Sequence, residues 1–257
     1  MSRDLITGIK QLLKAMLTDS MLQIAPTRRC NFHCLHCTHR ANEGYLDLDI
    51  YKEILARHHK VRMVKLQGLG EPLLHPRIQL LIDIAKDAGH KVMVITNGSL
   101  PYVNNVDEYV FSLETVDPTR FDAIGKHNLD RVLANIREAA SRQHVSINCV
   151  QCSQTTPEDV AAVQAFAGEI GARVWLTPQE VWVDPSHPEH AAQVADTRRA
   201  WRIHGTRPDY LKYAVCNWGV SEFYYDYTGA PHPCCIRMTD EYRYVKPCKE
   251  ICRNCPL

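Results

Sequence analysis

Three cysteines near the beginning of the chain have the residue type and the spacing of a metal site. They form the run Cys30-x3-Cys34-x2-Cys37. Three thiolates on one short loop can bind three irons of a [4Fe–4S] cluster and leave the fourth iron open to a substrate or cofactor, whereas clusters that only transfer electrons usually have four cysteine ligands. The spacing alone also permits a zinc ion, with a fourth ligand from the histidines of the same segment, His33, His36 or His39.

Composition narrows the class of protein. The chain has 257 residues, 45% of them hydrophobic, and a formal net charge of +1, so it is long enough for one large domain or for a large and a small one. The balanced charge does not indicate nucleic-acid binding. The longest apolar runs are too short for a membrane span, and the first residues lack the pattern of a signal peptide. We therefore expect a cytoplasmic protein, and its eleven cysteines then suggest metal binding rather than disulfides.

Strand and helix patterns alternate along the first 180 residues, which predicts a parallel sheet with helical crossovers. Functional groups of such a sheet are expected beyond the carboxyl ends of the strands. An amphipathic helix is predicted over residues 3–18, and a β-hairpin over residues 222–231. The six predicted strands cover residues 21–26, 62–67, 91–96, 108–113, 145–150 and 172–178. The predicted helices between and after them cover residues 50–58, 78–88, 118–141, 157–170 and 191–201.

Short motifs follow successive predicted strands. Gly-Leu-Gly-Glu-Pro occupies residues 68–72, Ile-Thr-Asn-Gly residues 95–98, and Ser-Leu-Glu residues 112–114. Together with the cysteine loop, they resemble the motifs of the radical S-adenosylmethionine (radical SAM) superfamily, in the same order along the chain. The family pattern has Gly where this chain has Leu69, and Asp where it has Glu114. The resemblance covers about residues 21–150 and implies a partial (β/α)6 barrel of the TIM type.

The resemblance also implies cofactors and roles. The open iron of a [4Fe–4S] cluster on Cys30, Cys34 and Cys37 would bind S-adenosylmethionine, and a reductant such as flavodoxin or ferredoxin would supply the electron that cleaves it to a 5′-deoxyadenosyl radical. Lys126 stands near the position where the family often has an Arg close to the methionine carboxylate. The residues expected to contact S-adenosylmethionine are His36, Gly70, Glu71, Thr96, Asn97, Ser112, Glu114, Lys126 and Gln151.

The end of the chain carries a second set of cysteines. Cys216-x12-Gly229-x4-Cys234 resembles the opening of the SPASM and Twitch domains, which bind auxiliary [4Fe–4S] clusters. The expected ligands of one auxiliary cluster are Cys216, Cys234, Cys252 and Cys255, with Cys248 and Cys235 as competitors. A four-cysteine zinc ribbon is the alternative. We thus expect a radical SAM core over residues 1–180, a bridge or substrate-facing insertion over 181–215, and a small Twitch-like domain over 216–257. His187, His190 and His204 of the bridge are predicted to be solvated loop residues.

The substrate is inferred from resemblance alone. The cysteine spacing and the short length are similar to the aminocyclitol dehydrogenase of butirosin biosynthesis and to related aminoglycoside epimerases. This implies dehydrogenation or epimerisation of a small, polar, carbohydrate-like molecule. Cys149 is predicted to be a core residue, whereas Cys152, Cys235 and Cys248 are candidates to donate a hydrogen atom to a substrate radical. One alternative is radical modification of a ribosomally made peptide, although only about 20 residues precede the first strand. A more distant alternative is a zinc-binding module without radical chemistry.

Overall fold

The computed structural model describes residues 20–37, 43–179, 190–206 and 222–232. Strands and helices alternate in these ranges as the sequence predicts. The strands are β1 (Met21–Ile24), β2 (Met63–Leu66), β3 (Lys91–Thr96), β4 (Glu108–Ser112), β5 (Val145–Gln151), β6 (Arg173–Pro178), β7 (Glu222–Tyr225) and β8 (Pro231–His232). The helices are α1 (Leu48–Arg57), α2 (Ile78–Asp87), α3 (Pro118–Ala123), α4 (Leu129–Ala140), α5 (Pro157–Glu169) and α6 (His190–His204), with a short 3₁₀ turn at Pro72–Leu74.

The first six strands form one parallel sheet in chain order. Each of β1 to β5 pairs in parallel with the strand that follows it along the chain. Helices return the chain to the amino edge of the sheet in every connection but that between β3 and β4, which has no helix. Because all neighbouring pairs are parallel, all six carboxyl ends lie at the same edge. The predicted α/β partial barrel is therefore confirmed.

The two faces of this sheet are packed differently. Alternate residues of the strands, such as Leu22 and Val64, join the buried side chains of the helices in the main hydrophobic core. The intervening residues point to the other face, where Met93, Ile95 and Val110 form a smaller apolar cluster. The alternation follows from the two-residue period of a strand. It places the helices outside and leaves the inner face of the barrel to a smaller set of side chains.

The predicted helix over residues 118–141 is wrong, because the structure has two helices there. α3 ends before Gly125, whose φ is +91°, and α4 begins after Asn128, whose φ is +59°. A right-handed helix cannot continue through residues in the left-handed region. The apolar periodicity runs across the break and hides it in the sequence. Lys126 lies in this break, and its side chain donates a hydrogen bond to the Ser112 carbonyl at the end of β4.

The predicted hairpin is present, and one of its strands also joins the central sheet. β7 and β8 pair antiparallel, and Asp226 closes their turn by accepting hydrogen bonds from the backbone N–H groups of Thr228 and Ala230. In addition, β7 pairs in parallel with β1, with Tyr224 opposite Gln23. The central sheet therefore contains a strand from beyond residue 216.

Several predicted features lie outside the described residues. They are the helix over residues 3–18, His39, His187 and the six C-terminal cysteines Cys216, Cys234, Cys235, Cys248, Cys252 and Cys255. The domain boundaries at residues 180 and 215 remain predictions.

The length and apolar character of the described helices bear on whether any of them could span a membrane. Its longest helix, α6, has 15 residues. None of the described helices combines the length and the apolar character that a membrane crossing requires.

Candidate active site at the carboxyl edge of the sheet

Hydrogen bonds gather the predicted motifs into one site. The cysteine loop follows β1, and the loop over residues 68–72 follows β2. The Glu71 backbone N–H donates to the Arg29 carbonyl at 2.7 Å, and the Thr96 hydroxyl at the end of β3 donates to the Glu71 carboxylate at 2.8 Å. The side chain of Lys126 in turn donates to the Ser112 carbonyl at the end of β4. The carboxyl ends of four neighbouring strands are thus tied together around the cysteines.

The three cysteines of the loop are free thiols and are partly buried. Burial raises the pKa of Cys30, and it raises the pKa of Cys34 to about 12 although the charge of Lys126 acts in the opposite direction. Without a metal, the thiols of Cys30 and Cys34 keep their protons at neutral pH. Metal binding must therefore displace those protons, so loading of the site is expected to depend on pH.

The backbone between α3 and α4 supports the cysteine loop from one side. The N–H of Leu35 donates to the Ile124 carbonyl at 2.9 Å, and the N–H of His33 donates to the Gly125 carbonyl at 3.0 Å. A Cβ atom at Gly125 would lie only 2.2 Å from the His33 carbonyl oxygen. Only glycine permits this approach at a φ of +91°. The helix break that the sequence pattern hides is therefore part of the site.

The glycine motif after β2 supports the loop from another side. A Cβ atom at Gly70 would lie 2.4 Å from the Thr27 carbonyl oxygen and 2.7 Å from that of Arg29. Gly70 was expected to contact S-adenosylmethionine. In this structure, its missing side chain allows the backbone to pack on the segment that leads directly into Cys30.

The Glu71 carboxylate links the loops after β2 and β3. It accepts hydrogen bonds from the Leu73 backbone, from the Thr96 hydroxyl and from the Asn97 backbone N–H at 2.6 Å. Burial raises the pKa of Glu71, and these three donors oppose that effect. Three of about four acceptor positions of the carboxylate are therefore used within the protein.

A buried ion pair lies on the other side of the cysteines. Lys126 Nζ donates to Glu114 Oε2 at 2.5 Å and to the Ser112 carbonyl at 2.9 Å. Burial alone would lower the pKa of Lys126, but the neighbouring Glu114 outweighs it and raises that pKa. His36 Nε2 lies 3.8 Å from Glu114 Oε1. Burial lowers the pKa of His36, so its ring is neutral, and its Nδ1 is buried without a hydrogen-bond partner among the described residues.

Of the two cysteines of the Cys149-x2-Cys152 pair, Cys149 lies within β5 and Cys152 directly follows it. Cys149 belongs to the main core, as predicted. Gln151 shares its face of the strand by alternation and is 6% exposed. Cys152 is completely buried beside the Thr155 hydroxyl, 3.6 Å away. Burial and the charge of Glu114 raise the pKa of Cys152 to about 11, so it is a thiol at neutral pH.

Helix α6, which includes the predicted helix over residues 191–201, packs over the ends of β5 and β6 through contacts that the sequence did not indicate. Asp196 accepts hydrogen bonds from the Ser153 hydroxyl and from the Gln179 amide. His204 Nε2 lies 3.0 Å from the Cys152 carbonyl and 3.2 Å from the Thr155 hydroxyl. The prediction that His204 is a solvated loop residue is therefore wrong: it is the last residue of a helix and contacts the loop that carries Cys152.

Two further residues of the site were missed. Asn31 and Ser99 form hydrogen bonds with Asn97 beside Cys30. Asn31 directly follows the first cysteine and Ser99 directly follows the Thr-Asn-Gly motif. Their polar character next to two motifs was the available sequence signal, but either could equally have been a solvated loop residue.

The donor set fits a [4Fe–4S] cluster. Three thiols share one loop, two glycine cradles hold that loop, and a buried ammonium lies close enough to influence Cys34. Among the described residues, no three His, Cys, Asp or Glu side chains converge on one point as the ligands of a single metal ion do. A cubane does not require such convergence, because each cysteine binds a different iron.

Sequence comparison agrees with this assignment. The sequence model of the Radical SAM superfamily matches residues 24–167. A tungsten-containing aldehyde ferredoxin oxidoreductase cofactor-modifying protein from Pyrococcus furiosus is 33% identical over 85 residues, which cover 31% of this chain and 24% of that protein. A GTP 3′,8-cyclase from Acidothermus cellulolyticus is 30% identical over 175 residues, which cover 58% of this chain and 48% of that protein. The chain thus spans less than half the length of both relatives.

Structural comparison supports the fold. Streptococcus suis SuiB bound to its precursor peptide SuiA superposes with a TM-score of 0.65 over 97% of this chain and 68% of SuiB, at 17% identity. At that identity, the likeness concerns the fold alone. The family match, however, covers more than half of the chain and includes the cysteine loop and every motif of the site. This chain therefore belongs to the radical SAM superfamily, whose members bind S-adenosylmethionine and a [4Fe–4S] cluster.

Proposed function

We propose that this radical SAM enzyme dehydrogenates or epimerises a small, polar, carbohydrate-like substrate. The observation that carries its radical chemistry is the cysteine loop, which hydrogen bonds hold at the carboxyl edge of the sheet against the loop after β2 and the α3–α4 connection. In this proposal, Cys30, Cys34 and Cys37 are the ligands of the cluster. When bound, the cluster would supply one electron to S-adenosylmethionine. The 5′-deoxyadenosyl radical formed from S-adenosylmethionine would take a hydrogen atom from an unactivated C–H bond.

The residues around the loop bind and orient S-adenosylmethionine. The neutral His36 ring offers a surface on which adenine can stack, and the buried Glu114 offers acceptors for the ribose hydroxyls. Lys126 forms an ion pair with Glu114. The charge of its ammonium group also favours the thiolate form of Cys34. The full set proposed to contact the cofactor is His36, Gly70, Glu71, Thr96, Asn97, Ser112, Glu114, Lys126 and Gln151. α6 covers the loops after β5 and β6 at this edge.

The Cys152 thiol is the candidate hydrogen-atom donor that the structure describes. Its pKa of about 11 keeps the S–H bond intact at neutral pH, which donation of a hydrogen atom requires. Cys152 directly follows β5, and β5 pairs with β4, which ends at Ser112 of the proposed cofactor site. Cys235 and Cys248 are its rivals and lie outside the described residues.

An auxiliary [4Fe–4S] cluster on Cys216, Cys234, Cys252 and Cys255 completes the proposal. It is supported by the position of the hairpin: β8 ends at His232, two residues before Cys234, and β7 pairs with the strand that leads into the first cysteine loop. Such a cluster could accept the second electron of a dehydrogenation. A flavodoxin or ferredoxin is the proposed reductant of the first cluster.

Modification of a peptide is the second candidate. The observation that favours it is the fold likeness to SuiB, whose structure holds a precursor peptide and which matches 97% of this chain. The two candidates differ in the size of the substrate. Tests with a cyclitol or amino sugar and with a peptide of 20 or so residues would show which one accelerates formation of 5′-deoxyadenosine.

Iron content and S-adenosylmethionine cleavage test the proposal first. After anaerobic purification, we expect about eight irons per chain for two cubane clusters and dithionite-driven formation of 5′-deoxyadenosine. Cys30→Ala should abolish cleavage and remove about half of the iron. Cys149→Ala is the matched control, because it removes a thiol from the core and leaves every proposed ligand in place. Cleavage by the Cys30→Ala variant would contradict the assignment of the cluster.

Cys152→Ala then separates the two reactions on a small molecule. An epimerase that uses this thiol should lose turnover in the variant, and its product formed in deuterium oxide should carry one deuterium from the exchanged S–D group. A dehydrogenase should tolerate the substitution and form a product oxidised by two electrons. Unchanged epimerisation by the Cys152→Ala variant would exclude Cys152 as the donor.

A further inference from the structure

Asn97 belongs to a closed ring of hydrogen bonds beside Cys30. Its Nδ2 donates to Asn31 Oδ1 at 2.9 Å, and Asn31 Nδ2 donates to the Ser99 hydroxyl at 2.8 Å. The Ser99 backbone N–H donates to Asn97 Oδ1 at 2.9 Å and closes the ring. Because a backbone N–H can only donate, Asn97 must present its oxygen to Ser99 and its nitrogen to the other side. The network therefore fixes the orientation of both amide groups.

The Asn97 amide also faces the first cysteine. Its Nδ2 donates to Cys30 Sγ at 3.9 Å. The Asn97 backbone is itself held by its hydrogen bond to the Glu71 carboxylate at 2.6 Å. The side chain is thus anchored at its oxygen, at one N–H and at its backbone, and its remaining N–H is available to the sulfur.

The second cysteine of the loop has a different environment. Burial raises the pKa of Cys34, and the charge of Lys126 opposes that effect. Cys30 instead has the directed N–H donor of Asn97. The ring therefore serves the sulfur of Cys30.

We propose that Asn31, Asn97 and Ser99 form a positioning ring that presents an N–H donor to the Cys30 thiolate and raises the reduction potential of the cluster. This inference rests on the proposed function, since it requires a cluster on Cys30, Cys34 and Cys37. Hydrogen bonds to ligand sulfurs are among the features that set such potentials. Reduction by an external one-electron donor adds one negative charge to the cluster, so a donor to sulfur stabilises the reduced form more than the oxidised form.

A redox titration followed by electron paramagnetic resonance tests the ring. The full-length, cluster-loaded protein is titrated without S-adenosylmethionine, and the relevant signal is identified by its change when S-adenosylmethionine is added. For Asn97→Ala, we expect the ratio of reduced to oxidised cluster at a fixed potential to fall about tenfold, which corresponds to a midpoint about 59 mV more negative for one electron. Ser99→Ala keeps the donor but removes part of its support, so a smaller shift in the same direction is expected.

Asn104→Ala is the matched control, because Asn104 is exposed and lies in the connection that leads to the amino end of β4. Its midpoint should equal that of the wild type. An unchanged midpoint in Asn97→Ala, with normal iron content, would overturn the inference. If Asn97→Ala fails to load iron, Ser99→Ala decides: a negative shift supports the ring, and an unchanged midpoint overturns it.

The two failures are distinguishable. If no signal responds to S-adenosylmethionine, or if Cys30→Ala retains that signal, the proposed function fails. If the signal is present and depends on Cys30, but its midpoint potential is unchanged in the Asn97→Ala and Ser99→Ala variants, the proposed function stands. In that case, the ring has no role in setting the potential.

Discussion

The two edges of the sheet hold the same kinds of charged groups in opposite environments. At the carboxyl edge, the side chains of Lys126 and Glu114 are 2% and 1% exposed. At the amino edge, Arg173 lies 3.5 Å from Glu108, and their side chains are 66% and 13% exposed, so the cation of this pair lies in solvent. An exposed pair contributes about 0–1 kcal/mol, whereas removal of one partner from a buried pair costs about 3–5 kcal/mol. The protein therefore depends on its charges at the carboxyl edge, where the site lies.

The glycines of the two edges differ in the same way. Gly89, between α2 and β3 at the amino edge, and Gly125, beside the cysteine loop, both have φ near +90°. A Cβ atom at Gly89 would meet nothing within 4 Å, whereas one at Gly125 would collide with the His33 carbonyl. The same backbone conformation serves a turn at one edge and a close contact with the site at the other.

The largest expected effect comes from breaking the buried ion pair. Lys126→Met leaves Glu114 charged, buried and unpaired, so we expect the free energy of unfolding to fall by about 3–5 kcal/mol. Arg173→Met is the control at the amino edge and should cost no more than about 1 kcal/mol. Urea unfolding at pH 7 measures both, with each variant in the same state of iron loading as the wild type. Equal losses would show that burial does not distinguish the two edges.

The double variant Lys126→Met, Glu114→Leu sharpens that result. If the cost of Lys126→Met arises from an uncompensated charge, replacing the carboxylate as well should recover part of the lost stability. No recovery would mean that the cost of the first substitution is one of packing rather than of charge.

A smaller effect is expected at the glycines. Gly89→Ala introduces only left-handed strain, which costs about 1–2 kcal/mol. Gly125→Ala introduces the same strain and a collision, which adds about 1–3 kcal/mol, and should also reduce iron content because it displaces the cysteine loop. Urea unfolding and iron analysis of both variants check this. Normal iron content in Gly125→Ala would show that the cluster does not need this contact.

The smallest effect concerns acid stability of the hairpin. Burial raises the pKa of Asp226, but hydrogen bonds from His232 and Thr228 outweigh it and hold that pKa at about 2. Because the folded pKa is depressed, the stabilisation is present above about pH 4 and is lost as the pH falls toward 2. Since 17% of the Asp226 side chain remains exposed to solvent, we expect Asp226→Asn to remove about 1 kcal/mol at pH 7 and less at pH 3. Urea unfolding at the two pH values measures the difference, and a loss that is equal at both would contradict the assignment.

The order of the elements and of the motifs was readable from the sequence. Buried parallel strands such as β3 consist of continuous apolar and β-branched residues, and each is followed by a short polar motif. Local patterns of this kind depend on neighbours in the chain. This is why the six strands, the cysteine loop and the Thr-Asn-Gly and Ser-Leu-Glu motifs were all located correctly along the chain.

The contacts that hold the site together were not readable in the same way. The contact of the α3–α4 connection with the cysteine loop, the pairing of β7 with β1 and the contact of α6 with the loop after β5 all involve residues far apart in the chain. Asn31 and Ser99 are separated by 68 positions, and nothing in either local pattern indicates the other. Such pairs follow from how the crossovers pack, which the sequence pattern does not specify.

The sequence by itself determined the chemistry: three thiols at a metal-binding spacing and a series of strands that bring the motifs to one edge of a sheet. Only the tertiary structure decided which partners each group has. It placed Lys126 against Glu114, Asn97 against Cys30 and His204 against the loop of Cys152. The reason is physical, because hydrogen bonds and burial depend on distance in space. Residue type and spacing show what a side chain can do, whereas packing decides what it is next to.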